Sequence, residues 1–235
     1  MIYFYINTKI MKRSEINAIM KDALALFKEY KISLPEFVLW SPDEWATKGS
    51  EADEIRENML GWDITDFGSG DFNKVGLFLI TLRNGNQKLK EKYPKVYAEK
   101  LMIVKEKQIT PMHFHWSKME DIINRGGGNL IIKLYNSTPD EQLADTDVEI
   151  SIDGVKHIFP AGYELCLKPG DSVTLTPGLY HKFWGEEGKG TIIVQEVSMC
   201  NDDANDNRFY EKTGRFPEIE EDEAPLYLLC NEYSK

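Results

Sequence analysis

The chain has 235 residues, 42% of them hydrophobic and 29% charged, and a net charge of −11. That length buries a sizeable core, as one large domain or as a domain with an extension. The acidic balance argues against nucleic acid or an anionic membrane as partner, since Lys and Arg grip both, and no apolar run approaches the roughly 18–20 residues that span a bilayer.

Residues 1–10, MIYFYINTKI, are aromatic and apolar but lack the basic leader and cleavage site of a signal peptide. Met11 makes a more natural start, so these residues read equally as an upstream extension or a short added strand. Ser14 reads as the N-cap of a helix in which Ile16, Ile19, Met20, Ala23, Leu24 and Phe27 follow a 3.6-residue period, ending near Tyr30. Ser41 followed by Pro42 predicts a second helix over 43–48, with further helical turns across 51–59. Gly68-Ser69-Gly70-Asp71 reads as a loop. Strands are predicted at 75–83, 100–107, 112–116, 129–136, 148–152, 156–159, 164–167, 172–175, 182–184 and 191–198, with a partly helical stretch at 87–99. Asp153-Gly154 is a hairpin turn. Gly126-Gly127-Gly128 reads as a tight turn and not a phosphate loop, because no Lys-Ser/Thr follows it.

Many short strands at regular spacing predict a mainly β fold, most simply a jelly roll. The expected organisation is an N-terminal helical extension at 1–74, a β-barrel at 75–200, and a tail at 201–235 of loop and a little helix wrapping the barrel. Within the tail, the acidic run 218–223 reads as solvated surface.

Chemistry concentrates in one pattern. Of four histidines, three fall into it: His113-X-His115, then Glu120, then a distant His181 after Pro177-Gly178. Residues i and i+2 of a strand share a face, so His113 and His115 reach one ion together. Glu120 lies past a short turn and swings back to add an oxygen. Three imidazoles and a carboxylate suit a divalent transition metal and leave coordination positions open. His157 has no partner pattern and reads as structural or surface. Glu196 shares a strand face with Ile192 and Val194, which places a carboxylate against an apolar interior or a site.

The spacing His113, His115, Glu120, Gly127, and then Gly170, Pro177, Gly178, His181, resembles the two motifs of the cupin superfamily over about residues 98–200. Lys107 stands where a Gly often opens the first motif. Gly185 replaces the usual closing Asn, and Pro177 and Gly178 are adjacent. These departures leave the ligands intact. The fuller strings Pro111-Met112-His113-Phe114-His115-Trp116, Lys118-Met119-Glu120-Asp121-Ile122, Asn124-Arg125-Gly126-Gly127-Gly128, Gln195-Glu196-Val197-Ser198 and Asp206-Asn207-Arg208-Phe209 resemble the D-lyxose isomerase family.

That resemblance implies a cupin jelly-roll β-barrel and an Mn²⁺-dependent aldose–ketose isomerase. Such an enzyme interconverts D-lyxose with D-xylulose, and often D-mannose with D-fructose. Co²⁺, Fe²⁺ or Zn²⁺ would suit the same donors. The reaction needs an electrophile for adjacent oxygens and a carboxylate to carry the proton between C2 and C1. Glu196 is the candidate base and Asp203 its partner acid. Lys100 and Lys118 are candidates for hydrogen bonds to sugar oxygens. Rival readings are a cupin isomerase of a phosphorylated sugar, with only Arg125, Arg208 and Arg215 available to hold phosphate; an iron dioxygenase; and a non-catalytic sugar or metal sensor.

Cys166, Cys200 and Cys230 form no CxxC, which fits reduced thiols in a cytoplasmic setting. Sandwich edges make a homodimer the default expectation.

Overall fold

The computed structural model describes residues 10–202 and 205–233. Strand β1 (Met11–Lys12) leads into helix α1 (Arg13–Glu29), followed by α2 (Pro42–Trp45) and α3 (Asp53–Glu57). Strands then run β2 (Gly61–Thr65), β3 (Leu77–Arg83), β4 (Tyr97–Val104), β5 (Thr110–Phe114), β6 (Glu120–Gly127) and β7 (Leu130–Asn136). They continue through β8 (Val148–Ile152), β9 (Val155–Phe159), β10 (Glu164–Leu167), β11 (Ser172–Leu175), β12 (Leu179–Gly185) and β13 (Ile192–Met199). The short β14 (Arg208–Phe209) and β15 (Ile219–Glu220) lie in the tail.

The expected mainly β jelly roll forms, as two facing sheets and not as one sheet closed on itself. The large sheet has eight strands in the order β2-β3-β4-β13-β6-β11-β8-β9, and the small one has five, β10-β7-β12-β5-β14. Between them lies an apolar core drawn from both: Met102, Ile122, Val173 and Val194 from the large sheet meet Leu130, Ile132, Leu134 and Phe183 from the small one. Alternation along each strand builds this layer, since every second side chain points inward.

A second core covers the outer face of the large sheet. Ile16, Met20, Ala23 and Phe27 of α1 pack on Trp62, Ile64, Phe78, Ile80, Leu101 and Ile103, the stripe that a 3.6-residue period predicts. Lys12, not Ser14, is the N-cap, with the Glu15 carboxylate accepting from the Lys12 backbone N–H. Ser14 instead donates to Asp222 from both its backbone N–H and its hydroxyl, at 2.9 and 2.7 Å. The acidic run is therefore not a solvated surface throughout. Glu221 pairs with the buried Arg13, and Glu223 accepts from Asn17, so the tail is docked along α1.

Ser41 does cap α2, accepting from the Glu44 N–H while Glu44 accepts from the Ser41 N–H. The partly helical expectation for 87–99 fails. The chain makes a single turn there, with Leu89 O accepting from Lys92 and Tyr93 N–H, before Pro94 blocks continuation and β4 begins at Tyr97. Five strands lie outside the predicted set: β2, β6 and the two-residue β1, β14 and β15. β2 falls inside the segment expected to be helical and pairs antiparallel with β3. β6 hides because its inward face carries Glu120, Ile122, Asn124 and Gly126, too polar for a hydropathy pattern to register. The glycine triplet closes β6 and starts the crossing to β7. A Cβ at Gly127, whose φ is +91°, would stand 2.0 Å from the Thr191 carbonyl oxygen. Among the described residues the tail contains strand fragments and no helix, and no helix is long and apolar enough to cross a membrane.

Candidate active site

The imidazoles come from the small sheet. β5 and β12 run antiparallel with His113 opposite His181, and their rings lie 4.2 Å apart between centroids. His115 follows just past the end of β5 on the same face. Each ring is held by main chain at Nδ1. His113 donates to Pro111 O at 2.8 Å, His115 to Asp206 O at 2.9 Å, and His181 to Leu179 O at 3.0 Å. A carbonyl only accepts, so Nδ1 carries the proton and each Nε2 presents its lone pair. One ligand atom from each ring lies within 4.8 Å of those of the other two. Burial pushes the His113 pKa well below the ordinary value, and His181 and His115 add to that, so the ring stays neutral. Convergent, buried imidazoles, each anchored at Nδ1 so that Nε2 is left to ligate, fit a divalent metal.

The charged groups come from the large sheet and its adjoining loop. Glu120 opens β6 and sets Oε1 at 3.2 Å from His181 Nε2 and 3.4 Å from His115 Nε2. Its Oε2 lies 2.6 Å from Lys118 Nζ. Burial works to raise the Glu120 pKa, but Lys118 and His115 outweigh it and hold the carboxyl well below the usual range. Glu196, on β13, accepts from Lys118 at 3.0 Å and from Ser198 Oγ at 2.8 Å. Lys100, opposite Glu196 on β4, reaches the same carboxylate at 3.1 Å and also donates to Asn201 Oδ1 at 2.8 Å. Here too burial raises the pKa while Lys100 and Lys118 more than offset it, so Glu196 is ionised.

Seven of the sequence-predicted residues, His113, His115, Glu120, His181, Lys100, Lys118 and Glu196, therefore line one cavity. Asp203 lies outside the described residues. The tail closes the cavity in ways the sequence reading did not assign. β14 pairs with β5 at Phe209 opposite His113, and the two rings stack at 5.3 Å. The Asp206 carboxylate accepts from the Ser117 and Lys118 backbone N–H groups at 2.9 and 3.0 Å, so Asp206 turns the loop that aims Lys118. Arg215 also lines the cavity, gripped by Asp63 of β2. Trp116 is 48% exposed and donates to Glu141. His157 stacks on Phe159 on β9, the edge strand of the large sheet, whereas β5 and β12 belong to the small one.

The profile of the D-lyxose isomerase family matches residues 11–233. The chain belongs to the D-lyxose isomerase family. Among the relatives of this D-lyxose isomerase family member is the D-lyxose/D-mannose isomerase of Serratia proteamaculans, 50% identical over 95% of this chain and 98% of that protein. The D-lyxose/D-mannose isomerase of Escherichia coli O157:H7 is 49% identical over the same shares. The chain is an isomerase of the aldose–ketose class. The L-ribose isomerase of Acinetobacter sp. DL28, solved with L-ribose, shares the fold with a TM-score of 0.59 at 15% identity, over 90% of this chain and 99% of that one. The L-ribose isomerase of Cellulomonas parahominis gives 0.57 at 16% identity, over 91% and 100%.

Proposed function

We propose that the protein interconverts D-lyxose with D-xylulose, and D-mannose with D-fructose, by proton transfer through a cis-enediolate. His113, His115, Glu120 and His181 would hold the metal, assigned as Mn²⁺, with Co²⁺, Fe²⁺ or Zn²⁺ also suiting the donors. When bound, such an ion polarises the sugar's adjacent oxygens and offsets the negative charge that develops on them.

Glu196 takes the proton from C2 of the aldose and returns it to C1, while the hydroxyl proton on O2 passes to O1, giving the ketose. It stands ionised in a buried cavity, which is the state a proton acceptor needs. Lys118 bridges Glu120 and Glu196, so its ammonium lies between the ligand side and the base side, where it donates to the reacting oxygens. Lys100 anchors Glu196 from the neighbouring strand.

The observation that carries this reading is the convergence of a tautomer-fixed imidazole triad and a lysine-bridged carboxylate pair in one cavity. A cytoplasmic homodimer is the form we assign, supported by three free cysteines and by the exposed Val155 and Ile158 on edge strand β9. The test is a panel of unphosphorylated aldoses incubated with Mn²⁺ in D₂O. D-Lyxose and D-mannose should yield ketose with deuterium entering at the carbon that receives the proton. No ketose from any of them would overturn the assignment.

A further inference from the structure

The tail runs beside the strand that carries the imidazoles. Tyr210 N–H donates to Met112 O at 2.9 Å, and Phe209 and Arg208 pair with His113 and Phe114. Asp206 stands at the far end of this seam, past the end of β5, where the chain turns toward β6. It is 6% exposed, and its bonds all point into that turn. Its carbonyl oxygen accepts from His115 Nδ1 at 2.9 Å. Its carboxylate accepts from the Ser117 N–H through Oδ1 at 2.9 Å and from the Lys118 N–H through Oδ2 at 3.0 Å.

These bonds divide by what a substitution can remove. The carbonyl is main chain, so His115 keeps its acceptor whatever side chain stands at 206. The carboxylate is the side chain, and both of its oxygens are spent on consecutive peptide groups. Pinning two successive N–H groups fixes the peptide plane between Ser117 and Lys118, and with it the direction in which the Lys118 side chain leaves the backbone. That side chain ends 2.6 Å from Glu120 and 3.0 Å from Glu196, carboxylates on two different strands, β6 and β13. An ammonium set between two fixed points tolerates little error, since a misplacement of about 1 Å near the chemistry costs on the order of 10²-fold in rate.

We propose that Asp206 is a positioning residue of the isomerisation: its carboxylate fixes the Ser117–Lys118 peptide and so aims the Lys118 ammonium between Glu120 and Glu196, independently of the carbonyl that orients His115. The proposal rests on the aldose–ketose reading above and deepens it.

In D₂O the enediolate has two exits once the proton on Glu196 has exchanged with solvent. Return of a deuteron to C2 restores the aldose, now labelled, and needs no transfer between oxygens. Delivery to C1 gives the ketose and also needs the hydroxyl proton to pass from O2 to O1, the transfer that a well-placed Lys118 assists. A misplaced Lys118 therefore raises the ratio of label in recovered aldose to ketose formed. A general loosening of the fold slows both exits and leaves that ratio alone.

The test compares the metal-loaded wild type with Asp206→Asn, Lys118→Met and the double variant, with D-lyxose as substrate. Asparagine has one acceptor oxygen where aspartate has two. Asp206→Asn should keep the wild-type metal content and change KM by no more than about twofold, while kcat falls roughly 10–100-fold and the label-to-ketose ratio rises. In the Lys118→Met background the same substitution should cost almost nothing further in kcat, because a residue that acts through Lys118 has nothing left to act on. Should asparagine not fold, Asp206→Ser, whose hydroxyl still accepts from one N–H, is read in the same way.

Wild-type kcat and label ratio in Asp206→Asn overturn the proposal. So does a fully additive loss in the double variant, and so does a fall in metal content large enough to account for the fall in kcat. A wild type that makes no ketose from D-lyxose or D-mannose would instead sink the reading beneath the proposal, an outcome separate from any behaviour of the variants.

Discussion

The two sheets equip the cavity differently. The small sheet supplies imidazoles, each fixed by a backbone carbonyl, so their aim is inherited from the main chain. The large sheet supplies carboxylates and Lys100, and these are held chiefly by one another and by Lys118. One side is positioned by main chain and the other by mutual charge. Losses on the first side should therefore abolish metal binding, while losses on the second, the ligand Glu120 apart, should spare the metal and damage the chemistry.

His181→Ala breaks the comparison most severely. The expected outcome is loss of bound metal by elemental analysis and a fall in kcat/KM of roughly 10³-fold or more. Chelation of the wild type should reproduce the loss, with Mn²⁺ or Co²⁺ restoring activity in step with metal content. A chelated protein free of metal yet fully active would collapse the distinction. Glu196→Gln tests the opposite side: metal content stays at the wild-type level while kcat falls roughly 10²–10⁴-fold. Wild-type turnover in that variant would move the base elsewhere.

Lys100→Met sharpens the point with a pH readout. Lys100 is the leading influence lowering the Glu196 pKa against burial, so its removal lets burial prevail and the carboxylate protonates at higher pH. The acid limb of the kcat profile should then move to higher pH, with kcat at its plateau reduced roughly 10–100-fold. A limb that stays in place or moves to lower pH would contradict the charge-held description. Asn17→Ala, on the outer core, gives the smallest effect on chemistry. It removes hydrogen bonds to Glu223, Ala224 and Leu226, which should cost about 2 kcal/mol and lower the melting temperature by several degrees. Its kcat/KM should match the wild type, and a large loss of activity without loss of stability would link the tail dock to the site.

The imidazole side was legible in the sequence because strand periodicity alone aligns His113 with His115, and a turn signal marks the approach to His181. The helix stripe from Ile16 to Phe27 was legible for the same reason. The charge-held side was only partly so. Glu196 stood out as an acid among Ile192 and Val194, but β6 went unread because its buried face carries Glu120 and Asn124. Asp63 gave no signal at all: within Gly-Trp-Asp-Ile-Thr it resembles a loop acid, and only the arrival of Arg215 from the tail explains its burial. Asp206 sits in a polar run of the tail, and the loop it caps is 88 positions upstream, a pairing that no local pattern encodes.

The tail reaches both faces of the large sheet. Asp206, Phe209 and Arg215 complete the cavity, and a few residues later Glu221, Asp222 and Glu223 fasten onto α1. During translation all of these emerge after β13, the last strand of the sandwich proper. A nascent chain can therefore assemble the apolar layer between its sheets while one wall of its pocket is still inside the ribosome, and competence to hold a sugar comes as a separate, later event.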